Sequence, residues 1–140
     1  MLVEWDAAFS VGHRSIDDDH KHLITVLNQL AAAVEGLSRD GGGDAGAILK
    51  IAAEFFENFC SHSQREEAVM REFLYLNTDR HASHHEFLVG ALRTLMVDDP
   101  SAEAIRINMP FILSAVVDHI ERDDRDFGAH LRATGCYGTV

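Results

Sequence analysis

Apolar residues in this chain recur in steps of three and four, along four separate stretches. The first opens near residues 17–19 and lines up His20, Leu23, Leu27, Leu30, Val34 and Leu37. The second carries Ile48, Ala52, Phe55, Phe59, His62, Glu66, Met70 and Phe73. The third carries His81, His85, Leu88, Leu92 and Leu95, and the fourth Ile105, Met109, Ile112, Val116 and His119. A 3–4 step keeps side chains on one face of an α-helix, so each stretch predicts an amphipathic helix. Breaks fall at SRDGGGDAG (38–46), LNTD (76–79) and VDDPSAE (97–103). Asp17 to Asp19, Asp79 and Ser101 are residue types suited to helix N-termini. Pro110 lies inside the fourth stretch and predicts a kink or a later helix start, because it donates no N–H. That helix is expected to run to about Leu131.

Four amphipathic helices with short connections predict an all-α, up-down-up-down four-helix bundle, and no strand pattern competes. At 140 residues the chain is expected to form one domain. Residues 1–16, with Trp5, Phe9 and Val11, would form an extended arm on its outside, 17–132 the bundle and 133–140 a tail.

Polar residues occupy the apolar stripes. His20, His62, His81, His85, His119 and Glu66 all fall in phase with core positions, on four different helices. Burying so many titratable groups unpaired would cost more than a marginally stable domain can bear. A metal centre in the bundle core compensates them, because its ligands are coordinated rather than merely desolvated. His62 with Glu66, and His81 with His85, are four residues apart and share a helix face. HIERDD (119–124) supplies the remaining carboxylates. Five imidazoles and two carboxylates exceed the four ligands of a tetrahedral zinc and suit two metals with bridging carboxylates. From His119, an ideal helix selects Asp123; Asp124 lies about 140° round and joins only if the helix widens in a π-bulge. Spacing alone leaves both aspartates open. After such a bulge Asp124, Phe127 and Leu131 would resume the rhythm.

Composition narrows the setting. A formal charge of −11 argues against a nucleic-acid partner, which needs a basic stripe. No apolar run reaches the roughly 18 residues of a membrane span. The opening MLVEWDAAF lacks the basic and apolar regions of a signal peptide. Cys60 and Cys136 make no CxxC pair, so a reduced, cytoplasmic setting is expected. Nine histidines stand against twelve Lys plus Arg, and only their positions separate ligands from surface residues. His13, His22, His84 and His130 fall off the stripes and are expected to be solvated. Cys60 is expected to face away from the site and Cys136 to be exposed and inert.

Five segments in order resemble the hemerythrin family in its stand-alone bacterial form. They are W-x3-F-S-V-G (5–12), I-D-x-D-H-K-x-L (16–23), H-x3-E-E-x2-M (62–70), H-x3-H (81–85) and H-I-x3-D (119–124). The resemblance covers essentially the whole chain. It implies a non-haem di-iron centre that binds dioxygen reversibly. His81, His85 and His119 would hold one iron, His20 and His62 the other, with Glu66, Asp124 and an oxo or hydroxo group bridging. The family pattern selects Asp124 and therefore implies the bulge. Leu23, Ser63 and Val116 would line the oxygen pocket.

The chain departs from the family's habits at Asp19 (often Gln), Ser63 (often Phe) and Phe127 (often Tyr). Ser63 is expected to wet the pocket and speed autoxidation. The leading expectation is a binding protein rather than an enzyme: an oxygen carrier, store or delivery module. Rival expectations are an oxygen or redox sensor whose iron oxidation moves the N-terminal arm, and a di-iron oxidase, peroxidase or nitric-oxide-handling protein.

Overall fold

The computed structural model describes residues 3–37 and 42–134, which form four helical rods, an N-terminal arm and short connections, with no strand among them. The first rod is α1 (Arg14–Glu35) and the second α2 (Ala45–Glu72). The third is α3 (Thr78–Arg93), continued by a π turn at Thr94–Asp98. The fourth runs from α4 (Ala102–Asp118) through a π turn at His119–Asp124 into α5 (Arg125–Ala133). α1 packs on α2 and α4, and α2 packs on α3, which gives the expected up-down-up-down bundle. Residues 38–41 of the predicted Gly-rich break, Cys136 and the tail beyond residue 134 lie outside the described residues.

Helix starts follow side-chain chemistry more closely than periodicity does. Asp44 caps α2 by accepting from Ala47 N–H at 3.0 Å, and Ser101 caps α4 by accepting from Ala104 N–H at 2.9 Å. α1 begins at Arg14 rather than near residue 17. Asp17 sits in its first turn, where its carboxylate accepts from Val11 N–H at 2.8 Å and from the Ser10 hydroxyl. It therefore ties the arm to the helix as well as favouring the helix start. α3 begins at Thr78 after Asn77, so Asp79 lies in the first turn and is not the cap. Pro110 neither delays nor divides α4, which is helical from Ala102. The proline is exposed, on a face where the carbonyl it leaves unbonded can meet water.

Two apolar clusters bracket the middle of the bundle. The larger runs from Leu23 and Phe59 through Leu88 and Val116, and the smaller holds Met70, Tyr75, Phe127 and Leu131. Glu66 precedes Met70 by one turn and follows Phe59 by two, so the polar stripe residues lie between the clusters. Met96, not the expected Leu95, enters the core at the end of the third rod. The π turn there holds an extra residue and shifts the buried face by one position.

The arm packs against the fourth rod. Trp5 meets Phe9 edge-on, and Val3 exchanges two hydrogen bonds with the Asn28 side chain of α1. A Cβ on the buried Gly128 would stand 3.0 Å from the Val11 Cα, so only glycine admits the arm this closely. His13, expected to be solvated, is buried at the junction and meets the Phe73 ring edge-on. His130, also expected to be solvated, is half-buried and donates to the Phe73 carbonyl at 2.7 Å. His22 is exposed as expected.

Candidate metal centre

His20 from α1, His62 and Glu66 from α2, His81 and His85 from α3, and His119 and Asp124 from the last π turn are all buried. Their ligating atoms gather into two groups, each with every atom within 4.8 Å of the others. One group is His20, His62, Glu66 and Asp124, and the other is Glu66, His81, His85, His119 and Asp124. Glu66 and Asp124 belong to both.

The two shared carboxylates divide their oxygens between the groups. Glu66 turns Oε2 toward His20 and His62, at 3.3 and 3.2 Å, and Oε1 toward His81 and His85, at 2.8 and 3.1 Å. Asp124 turns Oδ2 toward His20 at 2.9 Å and Oδ1 toward His81 and His119, at 2.9 and 3.3 Å. This is the arrangement of a carboxylate placed to bridge two positions.

The π turn settles which aspartate enters. Six residues from His119 to Asp124 take the wide turn, and Asp124 is fully buried while the Asp123 side chain is 40% exposed. Phe127 and Leu131 then return to the core, as the bulged rhythm requires. An ideal turn would instead have aimed Asp123 inward and carried Phe127 about 80° off the stripe.

Asp123 has a different task, one of three that sequence reasoning missed. It accepts from His119 Nδ1–H at 3.1 Å and approaches His84 Nε2 at 3.0 Å. Glu67 accepts from His85 Nδ1–H at 2.8 Å, and Asp19 from His62 Nδ1–H at 3.2 Å. Holding the proton on Nδ1 leaves the Nε2 lone pair facing inward and fixes the ring's orientation. The available signal was an acid immediately beside a stripe residue: Asp19 beside His20, Glu67 beside Glu66, Asp123 beside Asp124. His20 has no such partner for its Nδ1 among the described residues.

Electrostatics bind the cluster as a network. Burial pushes the His20 and His81 imidazoles down, but Asp124 and Glu66 outweigh it and raise both to about 10. Burial likewise opposes His62, which Glu66 and Asp19 carry above its ordinary value. Glu66 is driven well below the carboxylate range against its burial, first by His62. Asp124 also falls, against burial and the Glu66 charge, through His119 and His20.

Hydrogen bonds do not satisfy this cluster. Glu66 Oε2 and both Asp124 oxygens are buried without a hydrogen-bond partner, although imidazole nitrogens stand within reach. The Nε2 atoms of His20 and His62 face each other at 3.1 Å. Nitrogens and oxygens thus aim at common points rather than along donor–acceptor lines. A cation at each point would engage all of them, and nitrogen–carboxylate donors suit divalent first-row transition metals.

The apolar surroundings include Phe59, whose ring centroid is 6.3 Å from those of His85 and His119. Leu23 and Val116 are buried in the larger core cluster, one turn from His20 and His119. Ser63 is buried, donates to the Phe59 carbonyl at 2.8 Å, and lines a groove of about 440 Å³ between α2 and α3 with His85 and Glu67. Cys60 lines the same groove, half-buried, and burial pushes its thiol up, away from the reactive thiolate.

The model of the hemerythrin HHE cation-binding domain matches residues 11–131. The bacteriohemerythrin of Stenotrophomonas maltophilia (strain R551-3) is 25% identical over 133 residues, covering 94% of this chain and 83% of the relative. The bacteriohemerythrin of Pseudomonas aeruginosa (strain UCBPP-PA14) is 24% identical over 124 residues, covering 88% and 77%. A hemerythrin-like protein of Naegleria gruberi is 24% identical over 124 residues, covering 88% of each chain.

Proposed function

Because this chain belongs to the hemerythrin family, we propose that its buried cluster holds two irons and binds dioxygen reversibly, as a carrier, store or delivery module. The observation that carries this reading is the division of the Glu66 and Asp124 oxygens between two groups of imidazoles. His81, His85 and His119 would hold one metal, His20 and His62 the other, with the two carboxylates shared. A ferrous pair, when bound, supplies the electrons that reversible dioxygen binding requires.

The residues favour reversibility over turnover. Five imidazoles, neutral once metal has displaced their inward protons, favour the ferrous state, whereas a carboxylate-rich donor set would favour higher oxidation states. The His20 and His62 group has one imidazole fewer, which would leave its metal one ligand short and open to a small molecule. Leu23, Phe59 and Val116 exclude water from the neighbourhood, and Asp19, Glu67 and Asp123 hold three of the rings in place. Protein loaded with iron without air, then exposed to oxygen, should develop a visible absorption band that vanishes when the oxygen is removed. Irreversible bleaching, or steady consumption of oxygen, would reject reversible binding.

A sensing role is the second reading, favoured by one contact. The 3₁₀ turn of the arm (Ala7–Phe9) packs on the π turn that carries His119 and Asp124. A change at the metals has a direct route to the arm. Limited proteolysis of the arm in the oxidised and reduced forms separates the readings, since a plain carrier would give equal rates.

A further inference from the structure

Three carboxylates stand behind imidazoles of this centre, and one of them is unlike the others. Asp19 is gripped side-on by Arg65, with Nε to Oδ2 and Nη2 to Oδ1 both at 2.8 Å. Among the described residues neither Glu67 nor Asp123 has an arginine on it. Arg65 lies three residues beyond His62 on α2, and Asp19 immediately precedes His20 on α1. The two residues therefore clamp together the two helices that present the smaller group of imidazoles.

His62 Nδ1 stands 3.2 Å from Asp19, against 2.8 Å for His85 Nδ1 to Glu67 and 3.1 Å for His119 Nδ1 to Asp123. Asp19 Oδ2 accepts from both His62 and the Arg65 Nε–H, so its charge is shared. A carboxylate that gives charge to a guanidinium draws the imidazole proton less strongly and leaves that imidazole a weaker donor to a metal. A free carboxylate does the reverse.

We propose that Arg65 and Asp19 form a positioning pair: Asp19 orients His62, while Arg65 restrains how much electron density His62 passes to its metal. The proposal rests on the two-metal reading above. It makes the His20 and His62 position the more weakly held and the more easily kept reduced. That position also has the unpartnered His20 Nδ1, whereas two of the three imidazoles in the other group have a carboxylate behind them.

The test uses two variants whose effects have opposite signs. Asp19→Asn keeps an acceptor but removes the charge, so the reduction potential of the iron-loaded protein should rise. Arg65→Met frees the charge of Asp19, so the potential should fall, and Arg65→Lys should lie between, since an ammonium cannot grip both oxygens. A cobalt(II) titration should show the second equivalent weakened by about 10–100-fold in Asp19→Asn, with the first unchanged. In the zinc(II)-loaded protein, the ¹⁵N resonances of His62 should move in opposite directions in Asp19→Asn and Arg65→Met. A purely structural clamp would shift both variants the same way, and that result, or unchanged potentials, overturns the proposal. Uptake of one cobalt by the unmutated protein would instead reject the two-metal reading, and the ¹⁵N shifts would then decide the pair by themselves.

Discussion

The Nε2 atoms of His85 and His119 face each other at 2.9 Å across the gap between α3 and the last π turn. Each ring already donates its Nδ1–H to a carboxylate, Glu67 or Asp123. Two inward lone pairs at that distance repel unless a proton or a metal ion lies between them.

Metal should therefore stabilise the folded chain directly. Ligand present at 100 times its dissociation constant adds about 2.7 kcal/mol to folding. Thermal melts with and without a chelator should differ by several degrees, and metal analysis should return two atoms per chain. A value near one would reject the two-metal reading.

The two neighbouring aspartates should separate cleanly. Asp124→Asn removes a charge shared by both groups and should abolish loading of the pair. Asp123→Asn leaves both shared carboxylates in place, weakens the support of His119 and the contact with His84, and should cost about 10–100-fold in affinity at one position. Equal losses in the two variants, measured by titration with cobalt(II), would mean that the π turn does not decide the bridge.

Leu74 offers a stability test away from the metals. α2 closes with Tyr75 N–H on the Met70 carbonyl at 2.9 Å and Leu74 N–H on the Arg71 carbonyl at 3.2 Å. This closure requires a left-handed residue, usually glycine, and here Leu74 takes φ 55° and is 80% exposed. Relief of about 1–2 kcal/mol of strain, less about 0.5–1 kcal/mol of added chain entropy, should make Leu74→Gly more stable by roughly 0.5–1 kcal/mol. Urea denaturation reads this, and a destabilised variant would refute it.

Ser63, expected to wet the pocket, donates its hydroxyl to the Phe59 carbonyl. Ser63→Ala should therefore autoxidise at the rate of the unmutated protein. Ser63→Phe fills the groove beside His85 and should slow autoxidation. Stopped-flow absorbance on both variants tests this, and equal rates in Ser63→Phe and the unmutated protein would remove Ser63 from the access route.

His13 should contribute a pH dependence of folding. Burial holds its imidazole below the ordinary 6.5, against the pull of Glu72 and Asp17. A depressed value favours the neutral ring, so its contribution is full above pH 6.5 and is lost as the pH falls through the lower folded value. His13→Gln should flatten that part of the stability profile in metal-free protein. Identical slopes between about pH 5 and 7 would show that His13 does not titrate on unfolding.

Helices and stripes are local properties, so the sequence by itself determined them. Side chains three and four apart share a face whatever packs against it, and this was enough to predict four rods and to align His20, His62, Glu66, His81, His85 and His119. The same logic extrapolated a uniform 3.6-residue turn, and it failed wherever the turn widened. Met96 replaced Leu95 in the core, and the choice between Asp123 and Asp124 stayed open without the family resemblance. A π turn gives up ideal hydrogen bonding for the burial of a particular side chain, and only the facing helices decide whether that exchange is favourable. The carboxylates behind the imidazoles are decided in the same way. Asp19 reaches His62, and Glu67 reaches His85, across gaps between helices that no spacing along one helix encodes.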